Sequence, residues 1–90
     1  MGRVWWLYVL ECTGGVLYTG ISPDVSARYR LHAQGKGATF TRLKPPLRLL
    51  GATPVGTRSE ALKAEYAFKK LSAREKRWRA GLFGGQGETE

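Results

Sequence analysis

Five side chains in this sequence have the types and spacings that chemistry on a polyanion would use. Tyr8 and Tyr18 stand ten residues apart in strand-like segments. A strand tyrosine is ordinarily a packing residue, but its phenol also carries a proton where a metal or an arginine lowers its pKa. Arg28 and His32 follow at a spacing of four, which puts them on one face of an expected helix. Arg28 is either a solvated helix arginine or a planar fork that grips two phosphate oxygens. His32 either packs half-exposed, orients a tyrosine or touches a phosphate. Glu65 falls on the edge of an apolar stripe formed by Ala61, Ala64, Phe68 and Leu71. An inward carboxylate is costly unless a basic side chain or a cation neutralises it. Glu65 is therefore either ion-paired to an arginine or a metal ligand at the floor of a cleft.

The elements that must position these groups are legible in the pattern. Val4 to Glu11 is rich in aromatic and β-branched residues and reads as a strand. Thr13-Gly14-Gly15 makes a tight turn, and Val16 to Gly20 resumes the strand pattern. This hairpin is expected to hold Tyr8 and Tyr18 near its open end. Ser22-Pro23-Asp24 starts a helix, with Ser22 as the cap, and the helix runs to about Gln34 before Gly35 ends it. Gly35 to Pro46 is read as a basic loop, and Leu47 to Val55 as a third strand shortened or bulged by Gly51 and Pro54. Thr57 and Glu60 fit a capping box for the helix that carries Glu65. Ser72 to Glu75 repeats the cap signal before a short basic helix with Trp78. The expectation is an α+β domain over residues 1–80, a small central three-stranded antiparallel sheet flanked by helices. Residues 81–90 are expected to form a Gly-rich flexible tail.

Charge narrows the partners. Fifteen Lys and Arg face seven Asp and Glu, a net charge of +8 on 90 residues. A domain this basic attracts nucleic acid. The single cysteine and the single histidine exclude an internal disulfide and a zinc site built from the two types. Cys12 is expected to be a small buried hydrophobe. No segment approaches the roughly 20 apolar residues of a membrane span. The apolar opening is short and lacks a small-residue cleavage site, so the protein is expected in the cytoplasm.

The order of these features resembles the GIY-YIG endonuclease superfamily. The first signature maps onto Trp6-Leu7-Tyr8, the second onto Tyr18-Thr19-Gly20, the helix arginine onto Arg28 and the metal-binding glutamate onto Glu65. Trp6 replaces the first glycine and Thr19 the isoleucine, and neither change removes a catalytic group. His32-Ala33-Gln34-Gly35 and Phe40 to Pro46 are most similar to a small stand-alone subgroup, itself similar to the catalytic subunit of structure-specific nucleases. The resemblance covers about residues 4 to 78. It implies an endonuclease that cuts DNA with one Mg²⁺ or Mn²⁺ held by Glu65, probing DNA structure in repair or recombination. It further implies that Arg28 clamps the phosphate and that one tyrosine, Tyr8 in preference, helps deprotonate water. Tyr18 would position or share that task, and His32 would support the network. Lys36, Arg42, Lys44, Lys69 and Lys70 are expected to track the nucleic-acid backbone. Branched or flapped DNA, a specificity-giving protein partner or a homodimer complete the expected partners. The competing readings are a non-catalytic nucleic-acid-binding module on the same fold and a subunit active only with a partner.

Overall fold

The computed structural model describes residues 2–83. Three strands form one antiparallel sheet: β1 (Trp5–Cys12), β2 (Leu17–Ser22) and β3 (Pro46–Gly56), in the order β2-β1-β3. Four helices cover it: α1 (Val25–Ala33), α2 (Thr39–Leu43), α3 (Arg58–Lys69) and α4 (Ala73–Leu82). The expected α+β architecture is the one found.

β1 is central and buried on both faces, because its side chains alternate between two apolar clusters. Tyr8, Leu10 and Cys12 point to one face, where they pack with Val25 and Tyr29 of α1. Leu7 and Val9 point to the other, against Phe68 of α3 and Ala80 of α4. Cys12 is fully buried, and burial pushes its thiol pKa up. Its expected role as a small hydrophobe holds.

Several local expectations change. The hairpin turn is a single 3-10 turn over Thr13–Gly15, with Gly14 and Gly15 at φ 84° and 80°, a region that glycine enters without strain. Tyr8 pairs with Gly20, but Tyr18 pairs with Leu10, towards the turn and away from the hairpin's open end. Asp24, not Ser22, caps α1: its side chain accepts from the Ala27 N–H, while Ser22 is folded back onto the Asp24 backbone. Asp24 has the extended backbone of an N-cap, and the helix begins at Val25. The expected basic loop contains α2, five residues of which Thr41 is buried. β3 is longer than expected, and its pairing with β1 slips at three places, which lets Gly51 and Pro54 sit in an otherwise continuous strand.

The capping box at Thr57 and Glu60 forms as expected. Arg48 and Arg77 both donate to the Glu11 carboxylate, holding its pKa below the usual range, so these two arginines tie β1, β3 and α4 together. α4 runs through Gly81 and Leu82, and Phe83 packs on Phe68 with ring centroids 5.9 Å apart. Residues 84–90 of the expected Gly-rich segment lie outside the described residues. Among the described residues no helix is long and apolar enough to cross a membrane.

α4 approaches β3 so closely that a methyl group on Gly51 would overlap the Ala80 carbonyl oxygen. A backbone obstacle cannot swing aside as a side chain can. Gly51→Ala is expected to cost about 1–3 kcal/mol, measured as a fall in the urea midpoint with an unchanged m-value.

Candidate active site

The site is built outward from Gly20. A methyl group there would lie 2.5 Å from the Tyr8 Oη, so only glycine lets the Tyr8 ring cross β2. The buried Tyr8 hydroxyl reaches His32 Nε2 at 2.9 Å. On the far side of the imidazole, His32 Nδ1 lies 2.7 Å from the Thr41 hydroxyl. Thr41 in turn donates to the Ala38 carbonyl at 2.9 Å. Gly37 closes this pocket, since a methyl group there would collide with the imidazole.

This line has a direction. A carbonyl only accepts, so the single Thr41 proton is spent on Ala38. The Thr41 oxygen then accepts from His32, which puts the ring proton on Nδ1. Nε2 is left with a lone pair and accepts from Tyr8. Burial, and then the nearby Arg28 charge, lower the His32 pKa, which keeps the ring neutral. Burial most of all, with Tyr18 and Glu65 adding to it, raises the Tyr8 pKa, while the Arg28 guanidinium pulls it down. Tyr8 therefore holds its proton and gives it to His32 as a hydrogen bond. Tyr8, preferred by sequence as the phenol facing water, is 1% exposed. Tyr18 is the phenol that reaches the surface. Its ring meets the His32 edge at 5.1 Å and stacks on Phe40 at 5.8 Å.

α3 runs beside the outer edge of β2. Arg58, Leu62, Glu65 and Lys69 are spaced by four, three and four, so one helical stripe faces that edge while Ala61 and Phe68 face the sheet. At one end of the edge, Arg28 lines a depression with Trp5, Ser22, Arg58 and Leu62. At the other end, Tyr18 lines a groove with Phe40, Lys69 and Lys76. Glu65 lies between, 18% exposed in its side chain, with Lys69 Nζ at 3.3 Å from its carboxylate.

Glu65 pairs with Lys69 rather than with the expected arginine. Its partner is an exposed lysine one turn away, and such i,i+4 pairs contribute only about 0.3–0.5 kcal/mol. A cation can displace it. Among the described residues no three His, Cys, Asp or Glu gather as a metal cluster. One carboxylate fits a hard divalent ion that keeps most of its waters, with phosphate oxygens as further ligands; it does not fit a tight resident metal.

The residues expected to track a nucleic-acid backbone do not all converge. Lys69 is in the groove. Lys70 instead lies over the Tyr66 ring, 4.3 Å from its centroid. Lys36, Arg42 and Lys44 are exposed around α2, outside both depressions. Sequence reasoning missed Thr41, Phe40, Arg58 and Lys76. Phe40 and Thr41 sat inside a segment read as loop, where no periodicity marks an inward residue. Arg58 had a signal, being the first residue of a capped helix whose stripe it shares with Glu65.

A model of the GIY-YIG catalytic domain matches residues 4–79 of the chain. A UPF0213 protein of Cupriavidus pinatubonensis is 54% identical over 74 residues, covering 82% of each chain. The UPF0213 protein YhbQ of Escherichia coli K12 is 49% identical over 72 residues, 80% of this chain and 72% of that one. Two solution NMR structures are similar. The UPF0213 protein BH0048 of Bacillus halodurans has a TM-score of 0.55 at 41% identity, covering 96% of this chain and 92% of that one. Protein EF2693 of E. faecalis has a TM-score of 0.58 at 37% identity, covering 87% and 83%.

The neutral, buried His32 links stability to pH. Unfolded, it takes a proton near pH 6.5; folded, it resists until lower pH. Stability should therefore fall as pH drops below about 6.5, by up to about 1 kcal/mol per unit, or roughly 4–8 °C in melting temperature. His32→Gln should flatten the melting curve between pH 7 and 5.5. Nitrogen-15 NMR should find His32 as the single Nδ1–H tautomer; Thr41→Ser should keep it, and Thr41→Val should give a mixture.

Proposed function

Because the chain belongs to the GIY-YIG family, and within it to the UPF0213 proteins, we propose that it is a divalent-metal-dependent endonuclease hydrolysing phosphodiester bonds in DNA. The observation that carries this reading is the gathering of a surface phenol, an arginine and a lone carboxylate along one strand edge. Tyr18, Arg28 and Glu65 border β2, and the Tyr8–His32 pair stands directly behind them.

Arg28 holds the scissile phosphate, and its fork offsets the negative charge that grows on the equatorial oxygens during attack. Arg58 extends the same cationic wall. Tyr18, having given its own proton to solvent, orients the attacking water and takes up that water's proton as a phenolate. Tyr8 cannot compete for that water, since its proton is committed to His32; it steadies Arg28 and backs the Tyr18 ring. Glu65 would hold Mg²⁺ or Mn²⁺. When bound, that ion supplies charge neutralisation at the phosphate and at the leaving oxygen. Water adds across the P–O3′ bond: one product ends in a 5′ phosphate, and the departing 3′ oxygen takes a proton to become a hydroxyl.

Lys36, Arg42 and Lys44 lie on the flank of α2, where they meet backbone phosphates away from the cut. Such contacts carry no sequence information. Target choice then rests on DNA shape, a protein partner or a second copy, which fits a structure-selective role in repair or recombination. A pure binding module has no use for Glu65, because an uncompensated carboxylate repels phosphate.

Glu65→Gln is expected to abolish cleavage while DNA binding stays equal or tightens; persistent cutting by that variant would end the metal assignment. Arg28→Ala should lower kcat about 10²–10³-fold, the usual cost of losing one transition-state donor, with a smaller effect on affinity. Lys44→Gln should spare kcat and reduce the slope of log affinity against log salt by about one.

A further inference from the structure

Phe40 has no evident duty in the core. It belongs to α2, a helix of five residues, and is 38% exposed. One side of its ring is stacked on Tyr18, at an interplanar angle of 27°. Together the two rings form an aromatic wall of the groove along β2. Lys69 and Lys76, from α3 and α4, line the same groove, together with Leu17 and Thr19. Thr19 is 4% exposed. Neither lysine is held by a strong partner: Lys69 makes only its weak pair with Glu65, and no ion pair of Lys76 is found among the described residues.

An aromatic wall beside two ammonium groups is a specific kind of receptor. Lysines alone would serve any phosphate backbone. A ring available for stacking serves a base only when that base has left its own stack. In an intact duplex the base faces are covered by their neighbours, and the backbone alone meets the protein.

We propose that this groove binds one unpaired nucleotide next to the scissile phosphate, its base stacked on the Phe40–Tyr18 wall and its phosphates met by Lys69 and Lys76. This rests on the nuclease reading for its position beside the cut, though the groove's affinity can be measured without cutting. The substrate class is single-stranded nucleic acid, or the single-stranded arm of a flap or junction. Because Tyr18 belongs both to the wall and to the catalytic set, a stacked base also fixes the phenol's orientation. Stacking therefore couples recognition of an unpaired base to the chemistry.

The test uses the full chain in EDTA, where cleavage is blocked, with fluorescein-labelled oligo-dT, oligo-rU and a plain duplex as probes. Phe40→Leu should weaken both single strands roughly tenfold, the loss of one base–aromatic stack, and leave the duplex unchanged. Phe40→Trp should restore or improve single-strand binding, which separates stacking from damage to the fold. Lys76→Gln should lower the single-strand salt slope by about 0.7. Equal losses on duplex and single strands, or no loss with Phe40→Leu, would overturn the proposal. In a parallel assay with Mg²⁺, cleavage that ignores Phe40 would count against the subsite while sparing the nuclease. Single-strand binding that depends on Phe40, with no cleavage by the wild type, would sink the nuclease reading and leave the subsite standing.

Discussion

The hydrogen-bonded line from Tyr8 through His32 and Thr41 to the Ala38 carbonyl is the constraint on which the site depends. It crosses three elements, β1, α1 and α2, and every member is in the interior or at its margin. A buried polar group without a partner costs about 1–3 kcal/mol, so the line is stable only when complete. Its direction follows from one fact: a carbonyl cannot donate. That fixes the Thr41 proton, the imidazole tautomer and the role of the Tyr8 phenol in sequence. Two glycines make room for it, Gly20 under Tyr8 and Gly37 beside His32. The glycine of the second signature thus has a steric meaning: it makes room for the tyrosine of the first.

A second consequence concerns the tyrosines. They differ little in sequence setting, both being strand residues beside small or apolar neighbours. In the fold they are opposites. Tyr8 is sealed, with its pKa raised by burial and its proton committed. Tyr18, one strand over, lies against the edge of the same imidazole but also opens onto the groove. Two identical side chains thus acquire different environments from depth alone.

The sheet's three-strand width explains where the site sits. With β1 covered on both faces and β3 engaged by α4, the outer edge of β2 is what α1, α2 and α3 can border together without burying it. α3 sends one stripe to the sheet and the adjoining stripe to that edge. Glu65 is therefore partly sheltered yet reachable, which suits a carboxylate that exchanges a weak lysine pair for a hydrated cation. The basic residues divide by the same logic. Arg48 and Arg77 are held by Glu11 and Arg79 by Glu75, while Lys70 lies over Tyr66 and Arg58 over Trp5.

Much was determined by the sequence itself. The aromatic and β-branched run from Val4 to Glu11, the glycine turn, the capping box at Thr57 and the stripe of Ala61 and Phe68 are local signals. They specify element type without reference to partners, and their order was enough to expect the sheet, the family and the five side chains Tyr8, Tyr18, Arg28, His32 and Glu65. Tertiary structure decided what depends on distance between elements. Asp24 rather than Ser22 caps α1, because the Ser22 hydroxyl is bonded to the Asp24 backbone. Thr41 and Phe40 acquire meaning only when α2 folds over His32 and Tyr18, and nothing in a five-residue segment between glycines and prolines announces that contact. Which tyrosine is buried, which nitrogen of His32 carries the proton, and which lysines share the groove are properties of depth and direction. A linear pattern records periodicity, not depth, and so those choices were made by packing.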